Sequence, residues 1–392
     1  MNATSLAEPA TARRLAVRGG LGILVLLSLG HFFVDLYSGA LGALQPALVE
    51  RLGLSLTQAG ILGGLFVFSS SVMQPLYGFL SDRYHTKLFA ALAPAVAALG
   101  ISGVGLAPGY GWLLVLVAFG GAGVAAFHPQ ASAAVAAASS LRRGAWMAVF
   151  ISAGTLGFAL GPIYFSGAVA RLGLEGAWWA ALPGVLVTLF LIAQLPNPTG
   201  PARRRRFDWA PLKAVWKPLT ILYLLVFIRS IVQVTFAQFL PLYLTLERGF
   251  SYAAANYALT LYLAAGALGG FIGGHLADRW GGKRVILFSM IGSLPFLLLF
   301  FVAGGATAMF GLALGGLILL FTIPVNVVMA QELVPAQAGT VSSLMMGFAW
   351  GMAGLLFIPL VGRASDVFSM HAVLMSLLAF PVAGFLLALK LR

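Results

Sequence analysis

Four ionisable side chains stand where the sequence is otherwise apolar, and their types point to proton and anion chemistry. His31 and Asp35 lie four residues apart in the apolar run 20–48. At helical spacing they share one face, and a carboxylate beside an imidazole in a poorly solvated place can carry a proton. The structural alternative is a satisfied pair that packs the first helix on a neighbour. Arg229 lies about eleven residues into the run 218–246. A guanidinium keeps its charge, so it requires a partner acid, an aqueous cavity or an anionic ligand. His128 precedes Pro129 within the run 112–138. The proline removes a backbone donor and kinks a helix, leaving a carbonyl for substrate or water; the alternative is a core histidine bonded to a carbonyl. Polar groups inside apolar spans are expensive and mark function by default. The proton-coupling candidates are therefore Asp35, His31 and His128. Arg229, with Gln233, Gln130, Gln74 and Asn326, forms the substrate-binding set.

No catalytic constellation accompanies them. A Gly-x-Ser-x-Gly elbow, a Walker loop and a His-Glu-x-x-His helix are absent, so an ion gradient or simple facilitation is expected rather than ATP drive. The chain is read as not an enzyme, with no cofactor and no metal. Cys is absent, which removes disulfides and thiolate sites. Hydrophobic residues make up 60% and charged ones 8%, far below the roughly 25% charged of a soluble domain. The expected partners are the lipid bilayer, a small-molecule substrate and protons, with no nucleic acid, and the chain is expected to be a monomer.

Positioning these groups takes helices of about 20 apolar residues each. Twelve such runs are expected, at 20–48, 57–80, 88–107, 112–138, 145–170, 177–195, 218–246, 253–276, 284–303, 307–331, 338–363 and 370–390. The fold class is all-α integral membrane, with twelve transmembrane helices as two pseudo-symmetric six-helix bundles. Residues 1–19 form an N-terminal tail, 20–195 the first bundle, 196–217 a linker and 218–392 the second bundle. With the N-terminus inside, eighteen of the 23 Lys and Arg residues fall in cytoplasmic segments and four in outer loops, Arg229 being the remaining one. That bias places both termini in the cytoplasm and accounts for the net charge of +13 without nucleic acid. The arginine run 203–206 reads as an orientation signal touching anionic headgroups. The first apolar run is too long for a cleavable signal peptide.

The two halves repeat. Gly78-Phe79-Leu80-Ser81-Asp82-Arg83-Tyr84-His85-Thr86-Lys87 reappears as Gly274-His275-Leu276-Ala277-Asp278-Arg279-Trp280-Gly281-Gly282-Lys283, and Asp82 and Asp278 stand 196 residues apart. Glu50-Arg51-Leu52-Gly53 is answered by Glu247-Arg248-Gly249, Pro129 by Pro324, and Pro162 by Pro359. By this offset Arg229 falls opposite positions 32–34, between His31 and Asp35. The halves thus present opposite charges at similar depth, either as an Asp35–Arg229 ion pair or as a proton site facing an anion site.

Both polar segments resemble the signature of the major facilitator superfamily, G-x-L-x-D-R-x-G-x-K/R. The second copy matches well; the first has His85 at the usual glycine. Within the superfamily the chain is similar to the fosmidomycin-resistance group of bacterial drug exporters, through Ser28-Leu29-Gly30-His31 with Asp35, Ser69-Ser70-Ser71-Val72-Met73-Gln74-Pro75, Phe127-His128-Pro129 and Gly347-Phe348-Ala349-Trp350. That group commonly has His-Pro-Glu followed by Arg; here Gln130 and Ala133 replace both charges, which moves the weight to Asp35, His31 and His128. The resemblance implies a bacterial inner-membrane exporter that exchanges protons for a small anionic drug such as fosmidomycin, with helices one and seven lining a central cavity. The alternative is a symporter or uniporter importing an organic anion. A membrane-embedded enzyme would need a clustered nucleophile that the sequence lacks.

The resemblance also implies gates. Asp82 and Asp278, with Gly78, Arg83 and Arg279, are expected to latch onto helix starts of the opposite half, near Ala338-Gly339 and Gly144, in the outward-open state. His85 is expected to weaken the first latch or make it pH-sensitive. Gly157-x-x-x-Gly161-Pro162 partly matches the antiporter signature and also fits close helix packing. Glu332 is expected to pair with Arg279 or Lys283.

Overall fold

The computed structural model describes residues 10–84, 86–138, 143–197 and 210–391, with side chains described from residue 20 onward except at 143, 144 and 336. His85 and the arginine run 203–206 lie outside the described residues. Every regular element among the described residues is helical, as a bilayer demands when each backbone polar group must be satisfied within its own segment. Eleven stretches are long and apolar enough to cross a membrane. One of them, Ala145–Gln194, divides in two where Gly173 takes φ 71. The spans are α1 (Gly20–Leu52), α2 (Leu56–Tyr84), α3 (Leu88–Leu106), α4 (Tyr110–Ala138), α5 (Arg143–Gly176), α6 (Leu182–Gln194), α7 (Trp216–Leu246), α8 (Tyr252–Trp280), α9 (Gly282–Val302), α10 (Gly305–Leu333), α11 (Ala338–Val367) and α12 (Met370–Ala388).

The repeat is carried into local structure. Gly53 after α1 and Gly249 after α7 both take positive φ, 59 and 68, a conformation that glycine adopts without the Cβ penalty. Ser55 then caps α2 by accepting from Gln58 N, and Ser251 caps α8 by accepting from Ala254 N. At the other membrane face, Lys87 Nζ donates to the carbonyls of Ile192 and Leu195, both at 2.6 Å, at the end of α6. Lys283 Nζ does the same for Leu389 and Leu391 at the end of α12. Each lysine therefore neutralises the carbonyl end of the helix that closes its own half. The expected pairing of Glu332 with Lys283 or Arg279 does not form: Lys283 is committed to α12, and Glu332 is exposed with no ion pair among the described residues. The helices run past the apolar stretches that ended at 80 and 276: α2 reaches Tyr84 and α8 Trp280, which puts Asp82 and Asp278 in final helical turns.

The membrane face that holds the start of α1, the end of α6 and the end of α12 is the basic end, and the opposite face the far end. Packing joins the halves at the far end. Ala43, Ala59, Val67 and Ala159 from the first six helices share one buried cluster with Val232, Phe236, Phe239, Ile358 and other residues of the last six. Gln45 Nε2 donates to Gln238 Oε1 at 3.0 Å, and Asn256 Nδ2 to the Ala43 carbonyl at 3.4 Å. At the basic end the helices stand apart: residues Gln74–Tyr84 of α2 contain no buried side chain.

Candidate functional site

His31, Asp35 and His128 come together on α1 and α4, against α5. His31 Nε2 lies 3.2 Å from Asp35 Oδ2, and His128 Nε2 lies 3.4 Å from Asp35 Oδ1. The second nitrogen of each ring is already used: His31 Nδ1 is 2.8 Å from the Phe150 carbonyl and His128 Nδ1 is 2.7 Å from the Val124 carbonyl. A carbonyl only accepts, so both Nδ1 atoms carry hydrogen. In a neutral ring Nε2 is then a bare acceptor and would face a carboxylate oxygen lone pair to lone pair. A proton between nitrogen and oxygen turns that contact into an attractive one. The triad accordingly has two places for a proton, and filling the second completes its hydrogen bonding.

The surroundings sharpen this chemistry. His31 is 6% exposed, stacked on Phe150 with ring centroids 4.2 Å apart and 5.7 Å from Phe127. Asp35 and His128 are more open, with side chains 16% and 26% exposed. One side of the triad is thus partly exposed while the other lies in aromatic packing that screens charge poorly. Gly154 of α5 makes the approach possible, because a Cβ there would stand 2.6 Å from Asp35 Oδ2. Two histidines and a carboxylate are also a metal-ligand set, and their ligand atoms lie within 4.8 Å of one another. The nitrogen–oxygen contacts are at hydrogen-bonding range, and protons account for them without an ion.

Arg229, on α7, is in the other half and is 5% exposed. Its Nη1 donates to Gln233 Oε1 one turn on, and its Nε has no hydrogen-bond partner among the described residues. Among the described residues it makes no ion pair. Asp35 is engaged by two imidazoles instead, so of the two arrangements open to these charges the structure has the separated one. A titratable neighbour of Arg229 is Tyr262 of α8, whose ring packs 5.5 Å from that of Phe236 and whose buried hydroxyl has no hydrogen-bond partner among the described residues. Asn326, on α10, is fully buried with both polar side-chain atoms unpartnered among the described residues. The C-terminal half therefore holds a guanidinium, a phenol and an amide with free hydrogen-bonding capacity.

Other candidates sit elsewhere. Gln130 accepts from Ala90 N at 2.6 Å and donates to Ser81 Oγ at 2.8 Å and the Thr86 carbonyl at 2.5 Å. Its amide is spent on stapling the α2–α3 connection to α4, leaving little for a substrate. Gln74 donates to the Ser70 carbonyl within its own helix at 3.0 Å. Gly157 and Gly161, followed by Pro162, press α5 onto the α1 backbone at Phe32, Leu36 and Gly39. Gly78 faces Pro129 of α4. Asp82, Arg83, Asp278 and Arg279 are exposed and make no hydrogen bond or ion pair among the described residues. Sequence reasoning missed Phe150, Tyr262 and the part Gly154 plays; of these only Gly154 left a signal, as a glycine one turn before Gly157 and Gly161.

Solved structures share this fold. A bacterial homologue of the human lysosomal transporter Spinster, in its inward-facing and occupied conformation, superposes with a TM-score of 0.79 at 16% identity, over 94% of this chain and 95% of that one. In sequence, the chain is 32% identical over 374 residues to the uncharacterized MFS-type transporter YfnC of Bacillus subtilis (strain 168), covering 93% of this chain and 91% of that protein. It is 30% identical over 355 residues to the fosmidomycin resistance protein of Escherichia coli (strain K12), covering 88% and 87%. The sequence profile of the Major Facilitator Superfamily matches residues 27–358, and the chain belongs to that family of membrane transporters.

Proposed function

We propose that this transporter exports a small organic anion from a bacterial cell in exchange for protons, by alternating access across the inner membrane. Its basic end, with both termini, faces the cytoplasm, in keeping with the distribution of Lys and Arg. The observation that carries the reading is the His31–Asp35–His128 triad, which has two proton positions and one partly exposed side. Arg229 supplies the anion site, since a buried guanidinium without an acid partner favours a ligand that brings the countercharge. A phosphonate such as fosmidomycin suits its fork, and a relative bears the name fosmidomycin resistance protein. Proton and anion bind in different halves, and the rocking of one half against the other links them. A ligand shifts that motion only by its differential affinity for the two states.

Proteoliposomes loaded with fosmidomycin and a pH-sensitive dye test the proposal. Substrate flux is expected to drive counter-movement of protons in the wild type. In Asp35→Asn, substrate counterflow should persist while proton movement stops. Proton movement that survives unchanged in Asp35→Asn would remove the triad as the coupling site. Uptake accelerated by a substrate-side acid gradient would make the protein a symporter.

A further inference from the structure

Nε2 of His31 and Nε2 of His128 approach one carboxylate from two sides, one ring at each oxygen of Asp35. Each ring is fixed at its other nitrogen, where Nδ1–H donates to the Phe150 or the Val124 carbonyl. Metal-bound histidines are oriented in the same way, with the outer nitrogen tied to an acceptor and the inner one left as a lone pair. The two nitrogen–oxygen contacts, 3.2 and 3.4 Å, are long beside the roughly 2.7–2.9 Å of a charge-assisted hydrogen bond. They match the separation of about 3.4 Å between two atoms that each lie about 2.0–2.1 Å from one tetrahedral ion. The three ligand atoms lie within 4.8 Å of one another, so a shift of about 1 Å by His128, on the more exposed side, brings all three into bonding range.

Charge balances as well. Two protons on one carboxylate and two neutral rings leave one positive charge; a single divalent ion in place of those protons leaves the same. The exchange therefore adds no net charge to a poorly screening interior. Imidazole donors suit Zn2+ and Co2+, whereas Mg2+ and Ca2+ want oxygen ligands throughout. Two histidines and a carboxylate, with an open fourth position towards the exposed side of His128, form a three-ligand zinc site.

We propose that the His31–Asp35–His128 triad binds one Zn2+ ion in place of its two protons, and that the bound ion stops proton coupling while the halves remain free to rock. All three ligands belong to the first half, on α1 and α4, so the ion ties no helix of one half to the other. Binding stands on the geometry alone; its effect on transport rests on the proton-coupling reading above.

The full chain, purified without a polyhistidine tag, is titrated with Co2+, whose tetrahedral complexes absorb visible light strongly. The chain has no cysteine to compete for the ion. One Co2+ per chain is expected to develop the bands and Zn2+ to bleach them, while Mg2+ and Ca2+ leave them in place. Asp35→Asn and His128→Ala should each weaken Co2+ binding by about 100-fold or more, at least as much as the loss of an outer-shell partner. His275→Ala, which removes an exposed histidine outside the triad, should leave it unchanged. Zn2+ should raise the melting temperature of the wild type and not of the two triad variants; their melting without metal separates loss of the site from loss of the fold. In proteoliposomes Zn2+ should stop proton movement by the wild type while fosmidomycin counterflow persists, and that counterflow also shows the substrate is not sequestered by the ion. Absence of Co2+ bands in the wild type, or equal affinity in a folded Asp35→Asn or His128→Ala, overturns the proposal and leaves the proton-coupling reading standing. Binding at the triad with undiminished proton movement overturns the block and removes the triad from the coupling pathway.

Discussion

Gly154 backs directly onto Asp35, leaving 2.6 Å between the Asp35 Oδ2 atom and the place a Cβ would occupy. The proton-sharing contacts at Asp35 therefore depend on a residue with no ionisable group. Gly154→Ala would push the carboxylate or the His31 ring aside, at a cost of about 1–3 kcal/mol for overpacking. Proton-driven transport is expected to fall at least as far as in Asp35→Asn, whereas Gly167→Ala, which meets only the Arg171 side chain, should leave it unchanged. Dye-monitored proton flux in liposomes checks both.

Removing one imidazole leaves Asp35 with a single partner. His128→Ala is predicted to reduce proton-driven transport by about tenfold, the scale of one charge-assisted hydrogen bond, with counterflow retained. His31→Ala should also loosen α5, because His31 anchors the Phe150 carbonyl. Its melting temperature should fall while that of His128→Ala holds; equal loss in both would argue against the division of roles.

The free donors around Arg229 predict a graded loss of anion affinity. Arg229→Lys keeps the charge but not the fork and should raise the substrate KM about tenfold. Tyr262→Phe removes one hydroxyl and should raise it about threefold, within the range of a single hydrogen bond. Neither should alter the pH dependence of counterflow, since neither touches the triad. Counterflow kinetics with fosmidomycin provide the readout.

The paired lysines can be tested as helix caps. Lys87→Met and Lys283→Met should each destabilise the protein by about 1 kcal/mol, as expected for a cation at a helix C-terminus. Acting in separate halves, they should add. Thermal unfolding in detergent of the single and double variants measures this, and a double variant no less stable than either single would contradict it.

Much of the architecture was legible because membrane spans are long, apolar and repeated. The offset between Asp82 and Asp278 marked the duplication, and four-residue spacing put His31 and Asp35 on one face. The helix count followed from length alone. Pairing across the fold was not legible. Asp366 reads as an ordinary charge beyond the end of an apolar run, and nothing periodic joins it to Thr57 N, which donates to it from 309 residues away. Gln130 reads as a cavity ligand because it follows His128-Pro129, but two steps along a helix turn a side chain by about 200°, enough to send its amide to the α2–α3 connection. Arg279 and Lys283 share the membrane face of Glu332, but Lys283 has stronger acceptors in the bare carbonyls at the end of α12.

The lack of an acid beside Arg229 has an electrical consequence. The empty C-terminal half carries a fixed positive charge inside the bilayer, and a bound monoanion cancels it. If an anion leaves the cell as a proton enters, both movements carry positive charge inward, and the membrane voltage assists each step. Every charge so moved is worth about 2.3 kcal/mol per 100 mV. Turnover should thus generate a current, inward at the far end, and hyperpolarisation should speed it even with the pH equal on both sides.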